Sequence, residues 1–213
     1  MGLKLGLIDY GMGNLHSVEN AFLRLSQTCQ RVRSSADLDD CDALILPGVG
    51  SFDPAMSNLA ATGLIPDLQS WARDNKPLLG ICLGLQLLFD SSSEGQLAGL
   101  GLIPGHVERL PDDQQERIPH MGWSRLDLQN PSPLMTEPQS SLWMYFVHSY
   151  AAVPTQRETL AATTRFGDRD ITAMVWQGRL GACQFHPEKS SDAGSALLQN
   201  WLDWLKRGAP LTS

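Results

Sequence analysis

Cys82 stands between Gly80 and Gly84 in the stretch Pro77-Leu-Leu-Gly-Ile-Cys-Leu-Gly-Leu-Gln-Leu-Leu-Phe89. An apolar run leads into it and a helix-forming run leads away. Gly-x-Cys-x-Gly is the pattern of a nucleophile elbow with cysteine in place of serine. The turn is tight and strained, so its neighbours must be small. It lifts the nucleophile to the carboxyl end of a strand, where open α/β sheets bind ligands. It also sets the sulfur at a helix N-terminus, where the dipole and free N–H groups favour thiolate. The N–H of Leu83 then points at a developing oxyanion. A second reading makes Cys82 a core cysteine whose glycines only allow close packing. The elbow by itself leaves both readings open.

A nucleophilic thiol needs a base, and the base needs an orienting group. The histidines are His16, His106, His120, His148 and His186. His186 has a carboxylate two residues on, in Gln184-Phe-His-Pro-Glu188. Positions i and i+2 of an extended chain face the same side. Pro187 steers His186 away from helix, which supports the extended reading. Glu188 then accepts a hydrogen bond from one imidazole nitrogen while the other faces sulfur. A third element is Leu46-Pro-Gly-Val-Gly-Ser-Phe52. This glycine-rich turn offers free backbone N–H groups but lacks the Gly-Lys-Ser/Thr of a phosphate loop. Beside a cysteine nucleophile it fits an oxyanion loop, and Gly48 and Gly50 allow its peptide to flip.

These parts need a frame. Leu3–Tyr10, Gln30–Ser34, Ala43–Leu46 and Pro77–Ile81 read as strands. Between them lie a helix capped by Asn14, a helical stretch Pro54–Asn75 interrupted near Thr62-Gly63, and the helix Leu85–Phe89. Apolar strands alternating with helices predict a parallel sheet covered on both faces. In the second half Val107–Leu110, Leu142–Val153, Leu160–Arg165, Ile171–Gln177 and Leu180–Phe185 read as closely spaced strands, hence antiparallel hairpins. Ala193–Lys206 closes the chain as a helix. No repeat or linker divides the 213 residues, so residues 1–213 read as a single domain.

Composition excludes several classes. Charged residues are 18% and hydrophobic residues 42% of the chain, as in globular proteins. The net charge is −7 with no basic cluster, which argues against nucleic acid. No apolar run reaches the roughly 18 residues of a membrane span, and the first residues read as a strand, not a signal peptide. Cys29, Cys41, Cys82 and Cys183 are widely spaced and form no disulfide framework, which fits a reducing cytoplasm. Cys183 and His186 are too few for a zinc site, so no metal and no cofactor is expected.

The residues resemble the class I (triad) glutamine amidotransferase family. Gly-Ile-Cys82-Leu-Gly-Leu-Gln86 with the distal His186-Pro-Glu188 carries that resemblance. Asp9-Tyr-Gly-Met-Gly-Asn-Leu15, Leu-Pro-Gly-Val-Gly50-Ser-Phe, Pro119-His-Met-Gly-Trp123, Tyr145-Phe-Val-His-Ser-Tyr150 and Gln184-Phe-His-Pro-Glu-Lys-Ser190 narrow it to the branch serving histidine biosynthesis. The likeness covers nearly the whole chain. One departure is Ser191-Asp-Ala-Gly194, where the family motif reaches glycine sooner. The resemblance implies a flavodoxin-like α/β fold, with a central mostly parallel sheet flanked by helices and antiparallel strands in the second half. It implies that Cys82 attacks the side-chain amide of glutamine, that His186 shuttles the proton and that Glu188 orients His186. Leu83, Val49 and Gly50 would supply oxyanion donors. Gln86, Ser149 and Tyr150 would hold the α-carboxylate and amino groups, with Gly48 nearby. Ammonia would pass to a separate (β/α)₈-barrel cyclase subunit in a heterodimer, since a barrel alone takes about 250 residues. That cyclase converts PRFAR to imidazole glycerol phosphate and AICAR. Asn14, Met121, Trp123 and Lys189 would face it, although Trp123 reads equally well as core.

Three other readings stand beside this one. A sister subunit would serve anthranilate, pyridoxal phosphate or purine synthesis; the Pro119–Trp123 and Tyr145–Tyr150 segments argue against it. A cysteine hydrolase on a flavodoxin-like fold would keep its histidine near the elbow, whereas His186 lies 104 positions beyond Cys82. A non-catalytic flavodoxin-like module would make the His-Pro-Glu arrangement a coincidence.

Overall fold

The computed structural model describes residues 2–112, 116–135 and 142–211. β1 (Leu5–Ile8) is buried at every position. It is followed by α1 (Leu15–Arg24), whose Asn14 cap accepts the Ser17 N–H at 3.3 Å. β2 (Cys29–Val32) is the outermost strand on this side and is the least buried of the early strands. β3 (Ala43–Gly48) is again wholly buried. Along β3, Ala43 and Ile45 enter one core while Leu44 and Leu46 enter the other. That is the period-two alternation of a strand covered on both faces.

α2 (Phe52–Ala61) and α3 (Ile65–Arg73) are separated at Thr62-Gly63, the expected interruption. The Thr62 hydroxyl donates to the Leu59 carbonyl at 2.7 Å and accepts the Leu64 N–H at 3.2 Å, so one side chain closes the first helix and starts the next. β4 (Leu78–Cys82) runs straight into α4 (Leu83–Leu87). α2, α3 and α4 cover one face of the sheet. α1 and the last helix, α5 (Ser191–Lys206), cover the other, with Phe22 edge-on to Trp201 at 6.0 Å between ring centres. α5 starts two residues earlier than expected. Gly194 permits this: a Cβ there would lie 2.0 Å from the Pro187 carbonyl oxygen.

The second half holds β5 (Ser91–Ser92), β6 (Gly105–Arg109), β7 (His120–Leu128), β8 (Trp143–His148), β9 (Tyr150–Pro154), β10 (Leu160–Phe166), β11 (Arg169–Gln177) and β12 (Leu180–Cys183). The main sheet has nine strands in the order β2-β1-β3-β4-β12-β11-β10-β7-β8. Neighbours are parallel from β2 to β12 and antiparallel from β12 to β8. β12 is thus the hinge of the sheet, parallel to β4 on one side and antiparallel to β11 on the other.

Two expectations need correction. Leu142–Val153 is not one strand. It breaks at Ser149 into β8 of the main sheet and β9 of a small three-stranded sheet, β5-β6-β9. Both halves are apolar, so the change of sheet leaves no mark in composition. The sequence pattern does not signal β7, because its outward positions carry Met121 and Trp123 and blur the apolar–polar alternation. Among the described residues no helix is long and apolar enough to cross a membrane.

Candidate active site

The site starts from what the elbow turn forces on the chain. β3 and β4 pair in parallel, with Leu46 opposite Gly80 and Gly48 opposite Cys82. The turn from β4 into α4 therefore passes directly against the end of β3. A Cβ on Gly84 would sit 1.8 Å from the Leu46 carbonyl oxygen. A Cβ on Gly80 would sit 3.0 Å from both Ala182 Cβ and the Gly84 carbonyl oxygen. Close approach to backbone requires glycine at Gly84, and at Gly80 a side chain would be tight. Cys82 itself has φ 55° and ψ −111°, a strained conformation for a residue with a side chain.

Tyr10 secures the neighbouring loop. Its buried hydroxyl donates to the Pro47 carbonyl at 2.8 Å. Burial and the nearby Cys82 sulfur push its phenol well up, so it stays a donor. Gly50 has φ +102°, a conformation that favours glycine.

His186 follows β12 and is stitched to β8. Its N–H donates to the Tyr145 carbonyl at 2.9 Å, and the Ser190 hydroxyl donates to the His186 carbonyl at 2.7 Å. Glu188 reaches back so that its Oε1 accepts from His186 Nδ1 at 2.8 Å, with both side chains buried. The route differs from the expected extended chain. Pro187–Lys189 form a single 3₁₀ turn, and the turn folds the carboxylate onto the ring. A carboxylate only accepts, so Nδ1 carries the proton. Nε2 is buried and, among the described residues, has no hydrogen-bond partner of ordinary geometry. Burial works against a charged ring, but the Cys82 sulfur and the Glu188 carboxylate outweigh it and raise His186 to about 10.

Cys82 and His186 share a cavity of about 290 Å³. Val49 and Gly50 line it from the loop, Gln86 from α4, and Val147, His148, Ser149 and Tyr150 from the β8–β9 junction. Glu94 and Pro119 complete the wall. Gly48 lies behind it, where a Cβ would meet the Tyr10 hydroxyl at 2.7 Å and Leu83 Cβ at 2.9 Å. Leu83 is buried beside it. Gln86 donates its side-chain N–H groups to the Tyr150 carbonyl and to Gln184 Oε1, each at 3.1 Å. Asn14, Met121, Trp123 and Lys189 do not line the cavity. Met121 and Trp123 are 63% and 49% exposed, so Trp123 is not core. Lys189 is exposed on the 3₁₀ turn, and both α1 and β8 pack against that turn.

Three groups in or beside the cavity had no role in the sequence reading. Glu94 is a lone carboxylate in a polar loop, with no motif to flag it. Its Oε2 accepts the Phe52 N–H at 2.9 Å, just beyond the Val49–Gly50 loop. His148 donates from Nδ1 to the Tyr150 carbonyl at 2.8 Å, which leaves Nε2 to accept from His120 Nδ1 at 3.0 Å. His120 Nε2 then accepts from the Ser124 hydroxyl at 2.8 Å. Burial holds both rings neutral, His148 lowered to about 3 and His120 to about 4. Gln184 is completely buried, with its Nε2 3.8 Å from the Cys82 sulfur.

The sequence matches the family described as Glutamine amidotransferase class-I over residues 6–204. It is 68% identical to imidazole glycerol phosphate synthase subunit HisH 2 of Parasynechococcus marenigrum (strain WH8102), covering 99% of this chain and 100% of that one. It is 62% identical to subunit HisH of Synechococcus sp. (strain CC9605), covering 98% of each. Among solved structures, PurLQS from Thermotoga maritima superposes with a TM-score of 0.75 at 19% identity, over 96% of this chain and 100% of that one. A crystal structure of a glutamine amidotransferase superposes at 0.72 with 23% identity, over 95% and 98%. These two show the fold. With an elbow cysteine and a His–Glu pair in one cavity, and likeness along its whole length, this chain belongs to the class I glutamine amidotransferases, and within them to the HisH subunits of imidazole glycerol phosphate synthase.

Proposed function

We propose that this chain hydrolyses glutamine to glutamate and ammonia and delivers the ammonia to a cyclase partner in histidine biosynthesis. The carrying observation is that the strained Cys82 and the His186–Glu188 pair open into one cavity. Cys82 Sγ attacks the side-chain carbonyl carbon of glutamine. The oxyanion is met by the Leu83 N–H and by the Val49–Gly50 loop. His186 gives its Nε2 proton to the departing ammonia, leaving a γ-glutamyl thioester. It then takes a proton from water, and the hydroxide releases glutamate and restores the thiolate. Glu188 keeps the ring in the Nδ1–H tautomer throughout. Both amide protons of Gln86 are committed inward, so its oxygen remains for the substrate's α-ammonium. Glu94 supplies a negative charge for the same group, and Ser149 and Tyr150 hold the α-carboxylate.

The partner is a (β/α)₈-barrel cyclase that uses the ammonia to turn PRFAR into imidazole glycerol phosphate and AICAR. The complex is a 1:1 heterodimer in the cytoplasm, and residues 1–213 act as one domain. Asn14, Met121, Trp123 and Lys189 face the cyclase and surround the path of ammonia. The positive φ of Gly50, which only glycine adopts freely, supports a device in which one oxyanion donor turns into place when the cyclase holds its acceptor. Cys82→Ala tests the core of the proposal. The complex should lose glutamine-dependent product and keep ammonia-dependent product. Intact glutamine use would remove Cys82 as nucleophile.

A further inference from the structure

We propose that Gln184 is an additional catalytic residue, whose side-chain amide donates a hydrogen bond to the Cys82 sulfur and favours its thiolate. The proposal rests on the glutaminase reading above. Gln184 is 0% exposed and follows directly after β12, the strand that pairs with β4. Its Nε2 lies 3.8 Å from Sγ, within the longer reach of a bond to sulfur.

The sense of that contact is dictated by the rest of the network. The Tyr150 carbonyl can only accept, so Gln86 turns its NH₂ group toward it. The same NH₂ lies 3.1 Å from Gln184, which must answer with its oxygen. That leaves the NH₂ of Gln184 for sulfur. The Tyr150 carbonyl is fixed in turn by His148, and His148 by His120 and Ser124. Every donor and acceptor from Ser124 to Cys82 therefore has a determined direction.

The chemistry follows from what sulfur accepts. A neutral thiol and a thioester sulfur are weak acceptors, whereas a thiolate is a strong one. A donor at this place stabilises the anion selectively. It does so twice in the reaction: before attack, and again when the tetrahedral adduct of water expels the thiolate. His186 can take up and release its proton while Gln184, an uncharged donor, stays in place. Burying a primary amide this deeply is tolerable only if both its ends are used, and here they are.

The test uses Gln184→Met, which keeps the length and removes the donor, and Gln184→Glu, which keeps the shape and the bond from Gln86. Alkylation of Cys82 by iodoacetamide in the free subunit, read by peptide mass spectrometry, should slow about tenfold at pH 7, the size of one hydrogen bond to a charged group. The deficit should shrink at pH 9. In the complex, glutamine-dependent kcat should fall with KM within about twofold, and ammonia-dependent turnover should persist. Unchanged Cys82 alkylation in both variants, or a raised KM with kcat kept, would overturn the proposal. If the Met variant no longer binds the cyclase, the Glu variant decides. Loss of ammonia-dependent turnover in both would assign Gln184 to the fold and also overturn it. Because the alkylation arm needs no glutamine, it can fail while the glutaminase reading stands.

Discussion

At the scale of the residue, His186 shows how position sets charge. A buried imidazole ordinarily loses its proton, yet Cys82 and Glu188 raise this one to about 10. Its pKa when folded thus exceeds the ordinary value near 6.5. The stability this contributes is full below about pH 6.5 and fades as pH rises through about 10. Glu188→Gln removes one of the two supports. Thermal melts from pH 6 to pH 10 should show a smaller loss of stability on going alkaline in the variant than in the parent. Glutamine-dependent kcat should fall by about a hundredfold or more, since the orienting carboxylate also fixes the tautomer. Equal alkaline losses in the two proteins would show that Glu188 does not hold the charge on His186. The contrast with His106 is instructive. His106 and Glu108 have the same spacing, but they sit exposed on β6, 3.8 Å apart, and line no part of the cavity.

At the scale of the element, the elbow depends on a fit between β3 and the β4–α4 turn. Gly84 carries that fit, because any Cβ there collides with the backbone of Leu46, which cannot rotate away. Gly84→Ala should cost at least about 2 kcal/mol in denaturant unfolding, the range for forcing atoms into a packed core. It should also displace Cys82 and abolish glutaminase activity in whatever protein folds. A variant as stable and as active as the parent would mean that the turn is not held by this contact. The elbow, the Gly50 loop and the His186 turn all lie at the ends of short apolar strands, so the packing of the sheet places all three.

At the scale of the whole molecule, β7 and β8 form an edge of the sheet that exposes Met121, Trp123 and Trp143 beside Arg125. Met121 faces Val147, Trp123 faces Tyr145 and Arg125 faces Trp143 across the two strands. Trp123 meets Tyr145 edge-on at 6.1 Å and stays half exposed. Aromatic side chains held in this way are the usual anchors of a protein interface. Trp123→Ala should weaken binding of the cyclase at least tenfold by titration calorimetry. Leu211→Ala, at a residue 60% exposed, should not. Equal effects from both would remove the β7–β8 surface as the docking face.

The sequence by itself determined the parts of the site that are local. The elbow needs only neighbouring glycines, the His–Glu pair needs two residues and a proline, and β1, β3 and β4 of the parallel half of the sheet are written in wholly buried, apolar runs. What the tertiary structure decided is everything that depends on residues far apart. It brought His186, and not the similarly spaced His106, up to Cys82, because β12 lies beside β4 and carries the chain past the sulfur. It split Leu142–Val153 between two sheets at Ser149, a change of partner that side-chain type does not encode. It brought Glu94 to the cavity through the Phe52 N–H, and Gln184 to the sulfur through Gln86 and Tyr150. Each of these is a single polar group whose meaning comes from what it is buried against, and burial is a property of the folded chain.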